Sequence, residues 1–455
     1  MGRLFGTDGV RGRANEGNMT AAMALRIGRA VAWTCRERHR EKAMRPRIVI
    51  GKDTRISGYM FETALTAGIT SMGVDVLLLG PVPTPAVAFI TRTMRADAGI
   101  VISASHNPYY DNGIKIFSHT GYKLPDEQER EIEELVLDSA IDGEGALDAD
   151  IGRARRIDDA VGRYIEFCKN TFPAAMTLDG VKLVLDCANG ATYRCAPVIF
   201  SELGAAVTAI HAEPDGMNIN ENCGSQFTGD LRRKVVETDA DAGLAFDGDG
   251  DRLIVVDEKG RELSGDRVLA VCARHLKETG RLRNNLVVGT VMSNQGFLAA
   301  MRRLGIETVL AAVGDRNVLE TMRERGAVLG GESSGHIIFH EHHTTGDGII
   351  SALQLLAILR ETGRPLSELA AVMEEYPQVL LNVEVREKPP LEGLEGVQQA
   401  VREAEAELGE DGRVLVRYSG TQPLCRVMVE APAEEQARAL AERIAGAVRA
   451  ALAGE

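Results

Sequence analysis

Asp97-Ala-Gly-Ile-Val-Ile-Ser-Ala-Ser-His-Asn-Pro108 decides the fold of this chain: an apolar run ends at once in two hydroxyls, an imidazole and a proline. A short continuous apolar run bounded by a polar turn reads as a strand buried on both faces in a parallel sheet. Ligands in open α/β sheets bind beyond the carboxyl ends of such strands, so the loop at 103–108 faces a cleft. Ser105 is then the candidate for the residue that does the chemistry.

The alternation of strand and helix continues outward on both sides. Upstream, periodicity predicts helices over 20–40, 60–71 and 86–93 and strands over 47–50 and 74–79, with a Pro-Val-Pro-Thr-Pro turn at 81–85. Downstream come a charged amphipathic helix over 123–139 and an acidic, glycine-containing linker over 142–152. The alternation restarts with helices over 158–169 and 196–203, strands over 181–185 and 242–246, and a hairpin over 253–263. A third run has helices over 266–276 and 348–359 and strands over 286–289 and 327–329. The tail differs, with strands over 379–386, 413–418 and 426–430 and helices over 394–408 and 433–452. The expected fold class is α/β in four domains: three related mixed α/β units, their sheets flanked by helices, and a smaller C-terminal α+β domain, around a central cleft. The boundaries fall at 1–152, 153–256, 257–369 and 370–455.

A length of 455 residues exceeds what one hydrophobic core supports, in keeping with several domains. There is no 18-residue apolar run and no apolar stretch behind the first methionine, so neither membrane insertion nor secretion is expected. Seven cysteines, an odd count without a C-x-x-C pair, suit reduced thiols in the cytoplasm better than disulfides or a zinc cluster. A net charge of −14 without a basic stripe argues against nucleic acid as a partner. An anionic substrate therefore needs arginine and lysine gathered locally.

Asp247-Gly-Asp-Gly-Asp-Arg252 is the most specific stretch. Three carboxylates on alternate residues, spaced by glycines, can converge on one hard cation, Mg²⁺ by preference. Glu258 stands twelfth, as in a calcium EF-hand, but that loop needs glycine where Arg252 stands and helices on both sides. Gly330-Gly-Glu-Ser-Ser-Gly-His336 offers Glu332 and Ser334 to sugar hydroxyls, glycines for close backbone approach, and His336, which titrates near neutrality. Arg417-Tyr-Ser-Gly-Thr-Gln-Pro-Leu-Cys-Arg426 gathers guanidinium groups, hydroxyls and an outward amide into a phosphate cradle, without the Walker A pattern of nucleotide triphosphate sites. Arg11 in Phe5-Gly-Thr-Asp-Gly-Val-Arg-Gly12, the basic turn Gly51-Lys-Asp-Thr-Arg-Ile-Ser-Gly58, and Lys115 after the serine loop put further cations near strand ends, where an anion would bind. His340, His342 and His343 read as a polar loop rather than a metal site, because no carboxylate arrangement accompanies them. No acyl-transfer constellation can be assembled from these stretches, which argues against a serine hydrolase.

One serine, one carboxylate triad, one sugar loop and one phosphate cradle, divided among the domains, suit a phosphorylated sugar that exchanges a phosphoryl group with Ser105. Arg11, Lys115 and Arg252 would stabilise the charge in transfer. A non-catalytic sugar-phosphate sensor would not need these groups.

Eight stretches now stand in order: 5–12, 103–115, Asp186-Cys-Ala-Asn-Gly190, 247–252, Val313-Gly-Asp-Arg316, 330–336, Thr344-Thr-Gly-Asp-Gly348 and 417–426. With them the chain resembles the α-D-phosphohexomutases over nearly its whole length. The resemblance implies that Ser105 carries phosphate in the active enzyme and that a phosphate oxygen joins Asp247, Asp249 and Asp251 around Mg²⁺. It implies that Glu332 and Ser334 read the sugar and that Arg417, Ser419, Gly420, Thr421 and Arg426 hold the phosphate that is not reacting. Lys115 and His336 are the implied acid and base candidates. The implied reaction moves phosphate between the 6- and 1-positions of a small phosphosugar, glucosamine phosphate first and mannose or glucose phosphate as alternatives. It runs through a bound 1,6-bisphosphate of glucosamine or glucose, which also acts as activator, and its product would feed UDP-N-acetylglucosamine and cell-wall synthesis. A homodimer in the cytoplasm is implied as well. Ser103 stands where the family often has threonine, and Gln422 where glutamate is usual, so one carboxylate is missing beside the anion.

Overall fold

The apolar run before the serine loop is the strand Ala98–Ile102, buried at every residue. In the computed structural model, which describes residues 4–6, 8–38, 44–138, 141–419 and 423–452, it pairs in parallel with Arg47–Lys52, as expected. Its other neighbour, Asp111–Ser118, is antiparallel and goes beyond the expected elements. A lysine and a glycine interrupt the apolar residues of that strand, which hides its period of two. Ile114 and Ile116 join the core, so the pleat turns Lys115 to the opposite face.

The complete sheet has six strands in the order Val10–Arg13, Asp111–Ser118, Ala98–Ile102, Arg47–Lys52, Asp75–Pro81 and Ala154–Arg156. Helices Ala21–Arg38, Ser57–Ser71 and Asp126–Leu137 bury Ile27, Leu65 and Ile132 against Ile48, Ile100 and Ile114 of this sheet. A second sheet runs Glu262–Leu263, Leu253–Asp257, Ala242–Phe246, Lys182–Asp186 and Ala206–Ile210. A third pairs Leu286–Thr290 in parallel with Leu329–Gly331, and the latter antiparallel with Ile337–Phe339. Helices Gly229–Thr238 and Asp315–Arg325 also exceed the sequence expectation, because charged residues outnumber apolar ones in both.

The described residues form two compact units, Met1–Val291 with Val309–Ala370, and Met292–Thr308 with Ala371–Glu455. The second has an antiparallel sheet of Gln378–Glu384, Leu424–Glu430 and Arg413–Tyr418, packed by helices Glu395–Leu408 and Glu434–Leu452. Helix Gln295–Leu304, from the middle of the chain, belongs to this unit as well. No helix among the described residues is long and apolar enough to cross a membrane.

Each chemical stretch turns out to join two antiparallel strands. The serine loop joins Ala98–Ile102 to Asp111–Ser118, and the acidic loop joins Ala242–Phe246 to Leu253–Asp257. The sugar loop joins Leu329–Gly331 to Ile337–Phe339, and the phosphate loop joins Arg413–Tyr418 to Leu424–Glu430.

Candidate active site

Ser105 is almost wholly buried and has φ 52°, the left-handed region that costs a non-glycine residue about 1–2 kcal/mol. Its amide donates to Ser103 Oγ at 2.9 Å, and its carbonyl accepts from Arg55 Nη2 at 3.1 Å and Asn220 Nδ2 at 2.9 Å. Arg55 is fully buried and ion-paired with Asp53, while Lys52 binds Glu62 at 2.7 Å and lies over the Tyr59 ring. The basic turn at 51–58 therefore serves the protein's interior and offers no cation to a ligand, contrary to the sequence expectation. Burial can pair such groups with partners that a linear pattern does not display.

The Ser105 hydroxyl donates to Asp247 Oδ2 at 2.5 Å, which brings the serine loop and the acidic loop together. The acidic loop can make that approach because of its glycines. A Cβ on Gly248 would lie 2.6 Å from the Ser105 carbonyl oxygen, and Gly250 has φ +73°. Asp249 Oδ2 accepts from Lys115 Nζ at 2.9 Å and Thr84 Oγ1 at 2.7 Å. Register explains the lysine: Lys115 lies opposite Val101, beside the strand that leads into the serine loop.

Asp247, Asp249 and Asp251 each offer an oxygen within 4.8 Å of the others. Asp249 Oδ1 and Asp251 Oδ1 are buried without a hydrogen-bond donor. Burial, followed by repulsion from Asp251 and Asp249, holds the Asp247 carboxyl well above the usual carboxylate range. Burial also pushes Asp251 up, but its contact with His336 and the charges of Lys115 and Arg252 outweigh this and leave it lowered. Carboxylates forced apart in this way, with two oxygens lacking donors, fit a hard divalent cation held between the three side chains.

A cavity of about 470 Å³ opens on this cluster, lined among others by Asp8, Arg11, Ser105, Asp251, Arg252, Asp315, Glu332 and His336. Arg11 lies opposite Gly113 in the sheet and pairs with Asp8. Lys115 Nζ is also 3.2 Å from Asp8; burial alone would lower its pKa, but Asp249, Asp8 and Asp251 raise it. His336, almost fully buried, places Nδ1 3.7 Å from Asp251 Oδ2, while its Nε2 has no hydrogen-bond partner. Its pKa is raised because Asp251 and Asp315 overcome the opposing effect of burial. His106 Nδ1 lies 3.4 Å from the Ser105 hydroxyl oxygen, and burial, then Arg252 and Arg11, push this imidazole down to about 4. Glu332 Oε1 accepts from the Gly314 amide at 3.0 Å. Ser334 is half-buried in the turn behind Glu332 and is not among the residues lining the cavity.

Three further residues belong here. Asp8 collects Arg11, Lys115 and Lys123, and Lys123 also pairs with Asp315, so a half-buried chain of alternating charge runs from the first sheet to the start of helix Asp315–Arg325. Asp8 and Asp315 lie inside motifs already quoted, which was their only signal. Lys123 falls in the expected helix over 123–139, yet the helix begins at Asp126 and leaves the lysine free to point inward.

In the second unit, Arg417 and Arg426 are direct cross-strand partners. The Ser419 amide donates to the Leu424 carbonyl at 2.8 Å, and Lys388 Nζ donates to the Ser419 carbonyl at 2.6 Å, adding a cation that the sequence reasoning missed. Gly420, Thr421 and Gln422 lie outside the described residues.

Models described as phosphoglucomutase/phosphomannomutase match the chain in four segments: alpha/beta/alpha domain I at 2–140, domain II at 162–260, domain III at 264–376 and the C-terminal domain at 380–447. The phosphoglucosamine mutase of Syntrophobacter fumaroxidans is 58% identical over 99% of this chain and 100% of its own. That of Chlamydia caviae is 54% identical over 98% of this chain and 96% of its own. Among solved structures, a phosphoglucomutase/phosphomannomutase family protein from Burkholderia thailandensis superposes with a TM-score of 0.79 at 25% identity, covering 98% of this chain and 97% of its own. The N-acetylphosphoglucosamine mutase of Aspergillus fumigatus, solved with GlcNAc-6P and magnesium, shares the fold at a TM-score of 0.64 and 19% identity, over 98% of this chain and 96% of its own.

Proposed function

The chain belongs to the phosphoglucomutase/phosphomannomutase family, and from that premise we propose that it interconverts glucosamine 6-phosphate and glucosamine 1-phosphate, a phosphoglucosamine mutase reaction. The observation that carries this is the Ser105 hydroxyl, held 2.5 Å from Asp247 at the edge of a buried carboxylate cluster and opening onto a cavity lined by Arg11, Arg252, Glu332 and His336. Relatives at 53–58% identity over nearly the whole chain carry the same activity in their names, which favours glucosamine over mannose or glucose phosphate.

Ser105 is the phosphoryl carrier. Asp247, Asp249 and Asp251, with an oxygen of the serine phosphate, would hold Mg²⁺, which when bound neutralises charge on the group in transfer. In the first transfer the sugar hydroxyl attacks phosphorus: the bond to Ser105 Oγ breaks, the bond to the sugar oxygen forms, the hydroxyl proton leaves to a base, and the departing serine oxygen takes up a proton. The product is the 1,6-bisphosphate, which also serves as activator. In the second transfer Ser105 Oγ gives its proton to a base and attacks the phosphate at the other end: the bond to Oγ forms, the bond to the sugar oxygen breaks, and that oxygen takes up a proton as the product hydroxyl.

The Lys115 ammonium is engaged by Asp249 and Asp8, which suits a fixed cation. His336, with Nε2 unbonded at the cavity wall, suits the proton transfers. Arg11 and Arg252 stabilise the equatorial oxygens. Glu332 and Ser334 position sugar hydroxyls, while Arg417, Ser419, Gly420, Thr421 and Arg426 hold the phosphate not in transfer. The four functional segments are assigned to 1–152, 153–256, 257–369 and 370–455, in a cytoplasmic homodimer; sedimentation of the purified chain and cell fractionation check those two assignments.

Intact mass before and after phosphatase treatment tests the carrier, with one removable phosphate on Ser105 expected. Rates on glucosamine, mannose and glucose phosphates test the sugar. Fast turnover of mannose phosphate beside negligible turnover of glucosamine phosphate overturns the substrate assignment.

A further inference from the structure

We propose that Arg55 and Asn220 are positioning residues for phosphoryl transfer: together they lock the backbone of Ser105, so that its hydroxyl is presented at one fixed point in the cavity. The inference rests on Ser105 being the phosphoryl carrier.

Two peptide planes flank the Ser105 Cα, and both are tied. The plane before it is held by the Ser105 amide donating to Ser103 Oγ at 2.9 Å. The plane after it is held twice at the Ser105 carbonyl, by Arg55 Nη2 at 3.1 Å and Asn220 Nδ2 at 2.9 Å. With both planes fixed, φ and ψ of Ser105 cannot drift, and rotation about Cα–Cβ is the one soft torsion left to carry Oγ. That constraint is needed because φ is 52°, where serine does not rest by preference. Released from its partners, the loop would relax toward the ordinary regions and carry Oγ away from Asp247.

The two donors reach the loop from different places, which makes the lock more than a local turn. Arg55 follows the strand Arg47–Lys52 of the first sheet, and the Asp53 amide donates to the Ile102 carbonyl at 3.1 Å, tying the arginine's own turn to the strand that enters the serine loop. Asn220 comes from the connection after Ala206–Ile210 of the second sheet. Both also bind beyond Ser105: Arg55 donates to the carbonyls of Asn107 and Pro108, and Asn220 Nδ2 to the Asn107 carbonyl at 3.0 Å. The planar guanidinium fork serves three carbonyls and the Asp53 carboxylate at once. A lysine ammonium can keep the charge beside Asp53 but cannot span those acceptors. Neither side chain lines the cavity, so neither acts on the substrate directly.

The test compares the full-length protein with Arg55→Lys, Asn220→Ala and the double variant. It reads kcat, KM, thermal midpoint, and the occupancy and decay of the Ser105 phosphate by intact mass. Misplacing a reacting atom penalises the chemical step rather than binding, so kcat should fall about tenfold or more in each single variant and further in the double, with KM within about twofold. The phosphoserine should decay at a changed rate in folded variants, which a simple loss of stability would not produce. If Arg55→Lys does not fold, Asn220→Ala decides, since Arg55 still satisfies the carbonyl there. Unchanged kcat and phosphoserine lifetime in the folded variants, beside a phosphorylated wild type, overturn the positioning role alone. An active wild type without phosphate on Ser105 overturns the carrier assignment, and the positioning role with it.

Discussion

Asp249 shows how one buried carboxylate can serve two partners. Its Oδ2 is saturated by Lys115 and Thr84, while its Oδ1 has no donor and stands with Asp247 and Asp251. Asp249→Asn keeps the shape and removes the charge, so the cation should bind less well while the lysine keeps Asp8. The expected outcome is a shift of the Mg²⁺ activation midpoint to about tenfold higher concentration or more, with kcat reduced about 100-fold. An unchanged Mg²⁺ titration would count against the triad. Ser105→Ala should abolish turnover and leave the thermal midpoint near that of the parent, because a loop hydroxyl contributes little to packing; wild-type rates in that variant would remove Ser105 as the carrier. These residues were legible in the sequence because their chemistry needs particular side chains at fixed short spacings. Asn220 and Lys123 were not, since each is defined by a partner more than 100 positions away, Ser105 for the one and Asp315 for the other.

Helix Gly348–Thr362 starts from Asp347, whose Oδ1 accepts from the Ile349 and Ile350 amides while its Oδ2 accepts from the Tyr164 hydroxyl at 2.7 Å. Burial nevertheless pushes this carboxyl up to about 6, because no cation compensates the lost hydration. The folded protein therefore holds the proton more tightly than the unfolded chain, whose carboxyl titrates near about 4. The contribution of this group is fully present below pH ~4 and is lost as pH rises through about 6. Asp347→Asn keeps the capping carbonyl and cannot ionise, so its thermal midpoint should gain on the parent between pH 4 and 6; parallel curves would contradict the raised pKa. Asp347→Ala removes the cap and strands the Tyr164 hydroxyl, and should destabilise by about 2 kcal/mol across that range in denaturant melts. The start of this helix was readable because its apolar residues follow at once after Gly348. Asp111–Ser118 was not, since the residue the site needs, Lys115, breaks the apolar pattern that would have marked the strand.

Across the molecule, the four chemical loops repeat one construction: a strand enters, a short loop turns, and an antiparallel strand leaves. Fixing a loop at both ends limits its freedom more than a crossover to a distant parallel strand would, which suits groups that must meet within a few tenths of an ångström. The division into α/β segments and a different tail was legible because each part has its own period and motif. The membership of helix Gln295–Leu304 was not, because a short amphipathic helix carries no local mark of the sheet it accompanies. It lies between strands of the third sheet in sequence, yet it belongs to the unit containing the tail. The Asn294 side chain exchanges two hydrogen bonds with the backbone of Tyr376, the Gln295 amide donates to Glu430, and Gly296 lies so close to the Glu374 carbonyl that a Cβ would clash. A chain ending at Ala370 would keep this helix and lose those partners. With Phe297 and Met301 now fully buried, exposure would cost roughly 1.5–3 kcal/mol for each. Such a truncated chain should bind a hydrophobic dye and aggregate where the full-length protein stays monodisperse. A monodisperse, dye-silent 1–370 chain would mean that the helix finds its support within the first unit, and that the tail can be removed as an independent part.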